Sequence, residues 1–186
     1  GFARTGKKFG FEHYEVKPDL ICIGKGMGGG VPISGVIGKR KIMDLPEIGN
    51  MSSTHSANPM VCAAAEAVLD EILDRNLVEE SQRKGKLLFE GLKKIKDSFP
   101  ELINYVLGEG LIAAVLFKKT LKVGSAEVFA SKVSEECMQQ GLLVVHTGRE
   151  SIKIGPPLTI TGEALLEGID VLYDSIYQVL NRDYKS

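Results

Sequence analysis

Cysteine is scarce in this chain, charge of either sign is balanced, and long apolar runs are absent. Cys22, Cys62 and Cys137 are the only three cysteines in 186 residues. They are odd in number and widely spaced, which excludes the disulfide framework of a small secreted domain. Each stands among apolar neighbours, so all three read as reduced core residues of a cytoplasmic protein. The 23 basic and 24 acidic side chains leave a net charge of −1. No field of that size gathers nucleic acid or an anionic membrane, so neither is expected as a partner. No stretch has the makeup of a secretory signal or a membrane-spanning helix. No Gly-Lys-Ser/Thr triplet occurs, which excludes a Walker A loop. Internal repeats and low-complexity segments are missing. His13 has no neighbour at ligand spacing, and no metal site is expected. The chain does not open on methionine, and GFARTGKKFG reads like the middle of something longer, a fragment or a processed chain.

What is present is an ordinary globular composition, 44% hydrophobic and 25% charged. The length suits one domain or one and a half. One stretch stands out, DLICIGKGMGGGVPISGVI from Asp19 to Ile37. An apolar strand, Leu20 to Ile23, runs into the turn Gly24-Lys25-Gly26-Met27-Gly28-Gly29-Gly30, and a second strand is expected from Val31 to Ile37. Glycines at this density let the backbone take positive φ and let another group approach it closely. A lysine desolvated at the mouth of a strand is a candidate amine nucleophile. The other reading is a tight turn whose lysine points at water, and the residues alone leave both open. Gly24, Gly26 and Gly29 also fit G-x-G-x-x-G, with Asp44 downstream. That dinucleotide fingerprint requires a helix opening at the third glycine. Pro32 and the β-branched residues after it argue against one.

The rest of the chain alternates helices and strands. Arg4, Lys7 and Lys8 read as a solvated loop, and Gly38 to Asp44 as one short helix. A polar loop, Leu45 to Asn58, leads to a helix with Asn58 as N-cap and Pro59 at its first position. Its free N–H groups make the Ser/Thr/His loop before it a weak anion-site candidate. Ala63 to Ala65 would let that helix lie close on a sheet. A charged amphipathic helix is expected from Glu79 to Ser98, with Leu88, Leu92, Ile95 and Phe99 as its apolar stripe. Strands from Leu102 to Leu107 and Leu111 to Phe117 resemble a hairpin. A helix with Ala126, Phe129, Val133 and Cys137 on one face should end at Gly141. Strands Leu142–His146 and Ser151–Ile154 follow, and Pro156 and Pro157 stop the sheet. Thr161 should cap a last helix with Leu165, Ile169, Leu172, Ile176 and Val179 inward, and residues 181–186 should fray. The reading is α/β in two units. Residues 1–76 are too few to close a sheet, and residues 77–186 hold four strands and three helices.

Five stretches carry a resemblance. GFARTGKKFGFEH, VKPDLICIGKGMGGGVPISGVIG, STHSANPMVCAAA, GEGLIAAVLF and GLLVVHTGRESIKIGPPLTIT occur in the order found in the class III (ω-amino acid) aminotransferases. These are pyridoxal 5'-phosphate (PLP) enzymes of the aspartate aminotransferase fold, fold type I. The chain resembles their C-terminal part. The resemblance implies that residues 1–76 end the PLP-binding large domain and that residues 77–186 form the small domain. It implies that Lys25 holds PLP as a Schiff base and shuttles the proton during amino transfer. It implies that Thr54, with Ser53 as a second contact, bonds the cofactor phosphate across the interface of a homodimer. The reaction implied is transfer from an ω-amino acid or related amine to a 2-oxo acid, 2-oxoglutarate or pyruvate. An aminomutase or racemase of the same family, or a non-catalytic dimerisation piece, is the alternative.

Several positions depart from the family pattern. Where the family usually has an arginine before Pro-Pro-Leu to hold a substrate carboxylate, this chain has Lys153, a point charge without a bidentate fork. Arg149 stands four residues earlier and reads as a surface residue. Ser56-Ala57 replaces the common Gly-Gly before Asn-Pro, and Leu107 replaces an arginine. The family's pyridine-binding aspartate, phosphate loop and ring-stacking aromatic all belong upstream of Gly1. The expectation is that these 186 residues alone do not hold PLP tightly.

Overall fold

A computed structural model describes residues 1–120 and 122–184. Its first part holds a two-stranded antiparallel sheet, β1 (Leu20–Ile23) with β2 (Gly35–Gly38), joined by the lysine turn. A one-turn helix α1 (Arg40–Met43), a long loop and helix α2 (Pro59–Asp74) follow. Asn76, in the left-handed region at φ 49°, separates α2 from α3 (Leu77–Ser98). Then come the hairpin β3 (Ile103–Glu109) and β4 (Ile112–Phe117), α4 (Ala126–Gln139), β5 (Val145–His146), β6 (Ser151–Ile154) and α5 (Gly162–Asp183). The second sheet is antiparallel in the order β3-β4-β6-β5.

Alternation decides which face of that sheet is covered. Ala113, Val115 and Phe117 on β4 and Ile152 on β6 point inward and are buried. They meet the expected stripes of α3, α4 and α5, all buried from Leu88 to Val179. Phe117 and Phe129 meet edge to face with ring centres 5.1 Å apart. Each such fully buried side chain stabilises the fold by about 1.5–3 kcal/mol. The opposite face stays open, with Tyr105, Leu107, Ile112 and Val145 exposed. Along one row of it, Leu107 pairs with Ala114, Ala114 with Lys153, and Lys153 with Val145.

The helix ends follow the local chemistry. Met60 N donates to Asn58 Oδ1 (2.9 Å), Val128 N to Ser125 Oγ (3.2 Å) and Ala164 N to Thr161 Oγ1 (3.1 Å). Gly141, at φ 86°, follows α4 in the conformation that favours glycine.

Several expectations are corrected. The return strand begins at Gly35 rather than Val31, because Val31 N donates to Gly28 O (3.1 Å) and Pro32 has no N–H to donate. Helix α3 begins two residues earlier than its charged pattern suggested. Strand β5 is cut to two residues, since Leu142 N turns back to Cys137 O (2.8 Å). Residues 181–183 do not fray. They continue α5, tied by Arg182 Nη1 donating to Glu136 Oε2 (2.7 Å), while residues 185–186 lie outside the described ones. Cys22 and Cys62 are exposed and only Cys137 is a core residue. Cys22 lines an open cleft beside β1, and Cys62 lies on an exposed side of α2. Helix α2 packs on the lysine turn and α3, so the alanine run does not lie on a sheet, and of its three alanines only Ala65 is buried. Arg4 is partly buried instead of solvated.

Candidate active site

The lysine turn is a single 3-10 turn, Lys25–Gly28, at the C-terminal end of β1. Met27 N donates to Gly24 O (3.1 Å) and Gly29 N to Gly26 O (3.2 Å). Met27 is buried and anchors the turn. Gly29 has φ 61°, and a Cβ there would stand 2.9 Å from Val68 Cγ2, so only glycine lets α2 seat against the turn. Gly29 thus opens no helix, and the chain runs on to β2, which removes the condition for a dinucleotide site. Lys25 itself adopts φ 49°, a strained conformation for a side-chain-bearing residue. Its side chain is exposed, so the residues present do not desolvate it.

Two open clefts flank Lys25. One, of about 670 Å³, is lined by Lys25, Gly26, Arg4, Val68, Glu71, Leu158 and Thr159 among others. The other, of about 420 Å³, is lined by Phe2, Phe9, Phe11, Cys22 and Lys25 among others. Phe9 and Phe11 stack there with centres 5.5 Å apart. The residues lining these two clefts do not include Ser53, Thr54 or Lys153. Ser53 and Thr54 are exposed in a tight turn, where Ser56 N and Oγ both donate to Ser53 O (3.0 and 2.7 Å). The turn stands just before the Asn58 cap of α2. Lys153 is exposed on the open sheet face. His13 is exposed at a helix end, with Nε2 at 2.9 Å from Thr5 Oγ1. Among the described residues, no group of three or more His, Cys, Asp or Glu could hold a metal ion, and no helix is long and apolar enough to cross a membrane.

Two cations that the sequence hid act on the wall of the larger cleft. Arg4 Nη1 donates to Pro156 O and to Leu111 O (3.2 Å for the latter), and Leu111 N returns a bond to Arg4 O (2.8 Å). Burial pushes the Arg4 pKa down. Lys84, on α3, is buried and donates to Leu158 O (3.2 Å). In sequence, one is an arginine in a glycine-rich stretch and the other a lysine in a charged helix. Neither pattern signals a long-range partner.

The aminotransferase class-III family matches residues 1–176. The chain belongs to this family. It is 40% identical over 181 residues to the leucine/methionine racemase of Thermococcus litoralis, covering 96% of this chain and 40% of that protein. It is 36% identical over 176 residues to the acetylornithine aminotransferase of a Synechocystis species, covering 95% of this chain and 40% of that one. The acetylornithine aminotransferase structure from Elizabethkingia anophelis superposes with a TM-score of 0.85 at 35% identity, over 96% of this chain and 43% of that one. The chain therefore has the α/β fold of the PLP-dependent aminotransferases and spans about two fifths of the length of these relatives.

Class III aminotransferases use pyridoxal phosphate, and the residues present fit that group at its covalent end. The Lys25 amine is exposed between two open clefts, and a Cβ at Gly26 or Gly30 would meet nothing within 4 Å, so the backbone beside the amine is clear. For the ring nitrogen the fit is poorer. Glu71 is the carboxylate lining the larger cleft, and it is ion-paired with Arg75 at 2.6 Å.

Proposed function

We propose that the chain is the lysine-bearing part of a PLP-dependent enzyme that transfers an amino group from an ω-amino acid or related amine to a 2-oxo acid, 2-oxoglutarate or pyruvate. The observation that carries this reading is Lys25, exposed at the end of β1 between two open clefts, in a chain of the class-III family. When bound, the cofactor supplies an electron sink for the carbon that loses a proton. Lys25 Nζ anchors it and is the base that takes and returns that proton. Thr54 and Ser53 present hydroxyls to the phosphate of the neighbouring subunit's site in a homodimer, and their exposure in the turn before α2 suits that use. Lys153 attracts a substrate carboxylate as a point charge. Residues 1–76 belong with the PLP-binding large domain and residues 77–186 form the small domain, which has its own core. The location is cytoplasmic, in keeping with three free thiols.

These 186 residues alone hold PLP weakly: among the described residues the carboxylate lining the larger cleft, Glu71, is paired with Arg75, and Lys25 is open to water. Borohydride reduction with peptide mapping tests both halves of the reading. The holoenzyme should carry one reduced cofactor on Lys25, lost in Lys25→Ala. The isolated chain should show no stoichiometric label, and a stable one would overturn the second half.

A racemase is the second reading, favoured by the 40% identity to the leucine/methionine racemase. A racemase inverts its amino acid without a second keto acid. Product formation that needs 2-oxoglutarate or pyruvate decides for amino transfer.

A further inference from the structure

The segment after β6 cannot hold itself by a ladder. Pro156 and Pro157 offer no N–H, and among the described residues its internal backbone bond is Ile160 N to Pro157 O (3.0 Å). Its carbonyls are held from outside. The Arg4 guanidinium takes Pro156 O, and the Lys84 ammonium takes Leu158 O at 3.2 Å. Lys84 is an unusual residue to find there. Its side chain is only 7% exposed, and burying an ammonium is costly unless it is paired. The pairing comes from Glu80 Oε2 at 3.3 Å, one helical turn earlier, and from the Leu158 carbonyl, 74 positions away. Glu80 stays ionised over the working range, because its bonds to Arg83 and Lys84 hold its carboxyl down to about 2.

Leu158 and Thr159 matter because they line the larger cleft together with Lys25, a cleft that Lys84 itself does not line. We infer that Lys84 is a positioning residue for substrate selection: it fixes the Leu158–Thr159 wall and thereby sets the room left for the chain of the amino donor beside Lys25. The inference rests on Lys25 being the reacting amine. A lysine that merely stapled the scaffold would as well be an apolar side chain of the same length, packed on α3. The ammonium is needed where a carbonyl without a backbone partner must be held at one place. The donor binds against that wall before and during proton removal alike, so a displaced wall weakens binding without slowing the proton transfer at Lys25.

The test uses the holoenzyme with Lys84→Met, which keeps the length and removes the charge, and Lys84→Arg, which restores a donor. Hydrogen–deuterium exchange reads the wall directly. Lys84→Met should raise exchange at the Ile160 amide, which bonds Pro157 O, about tenfold and leave the α3 and α5 amides unchanged, as expected when one part-buried acceptor loses its donor. The KM for the amino donor should rise about tenfold with kcat within about twofold, and Lys84→Arg should recover most of both changes. Unchanged exchange, loss of protection spreading through α3 and α5, an unmoved KM, a matching fall in kcat, or no rescue by arginine would each overturn the inference. Borohydride labelling of Lys25 in the wild type runs alongside. If the label is absent, the aminotransferase reading fails on its own, and the exchange comparison still decides whether Lys84 holds the wall.

Discussion

At the scale of single residues, three backbones meet at one point. A Cβ on Gly85 would lie 2.6 Å from Gly110 Cα, and one on Gly110 would lie 2.5 Å from the Thr5 carbonyl carbon. Backbone atoms cannot swing aside as side chains do. Gly85→Ala should therefore cost about 2–3 kcal/mol in urea unfolding, as overpacking does. Gly124→Ala, where a Cβ would meet nothing within 4 Å but φ is +65°, should cost about 1 kcal/mol from strain alone. Glu80 gives a pH test. Its carboxyl lies at about 2 when folded, against an ordinary value of 4.5, through the side-chain bonds from Arg83 and Lys84. A folded pKa below the unfolded one means that the stabilisation is complete above the unfolded value and fades as the folded value is approached from above. The melting-temperature gap between wild type and Glu80→Gln should be widest above about pH 5 and close towards about pH 2. Salt should narrow it only in part, because Arg83 is exposed whereas Lys84, the other partner of Glu80, is buried. Residue-scale chemistry was only half legible in the sequence. The glycines around Lys25 marked its turn, though not its chemistry. Arg4 and Lys84 had no such mark, because their partners are backbone carbonyls, which carry no sequence signature.

Elements were far more legible, for an identifiable reason. Asn58 and Thr161 each bond their own helix locally, and the stripes of α3, α4 and α5 repeat at the helical period. Both signals reside in a few consecutive residues. Strand lengths were misjudged where a local bond outcompeted the ladder, as at Val31 and Leu142. Exposure was misjudged on β1 and α2, because an apolar neighbourhood in sequence does not say which face finds a partner. That error has a measurable form. In the 186-residue chain an aromatic disulfide reagent should titrate Cys22 on β1 and Cys62 on α2 quickly. Cys137 on α4 is fully buried, and burial pushes its thiol pKa up. It should react only after denaturant is added, and rapid labelling of all three thiols would contradict this burial pattern.

For the whole molecule, the fold was legible through the family resemblance more than through periodicity. Hydrophobic pattern alone named four strands and three helices after residue 76, but not the strand order β3-β4-β6-β5. Of the candidate site residues named from the sequence, Lys25 lines both clefts. Ser53, Thr54 and Lys153 lie apart from its clefts, on an exposed turn and an open sheet face. If they serve a site, that site is completed by surfaces beyond these residues, which is what the borohydride comparison measures.

The main core draws all its buried members from between Leu88 and Val179, a stretch that contains neither Lys25 nor Thr54. Chemistry and folding are therefore nearly separable genetic targets. A substitution such as Phe129→Ala, which removes about 3–5 kcal/mol of packing, leaves Lys25 untouched and lowers how much protein a cell keeps. Purified survivors would turn over normally. A growth-based screen would score such alleles as dead enzymes, and an assay normalised to protein would score them as wild type. Alleles of Lys84 should invert that pattern, with normal abundance and a selective loss at low donor concentration.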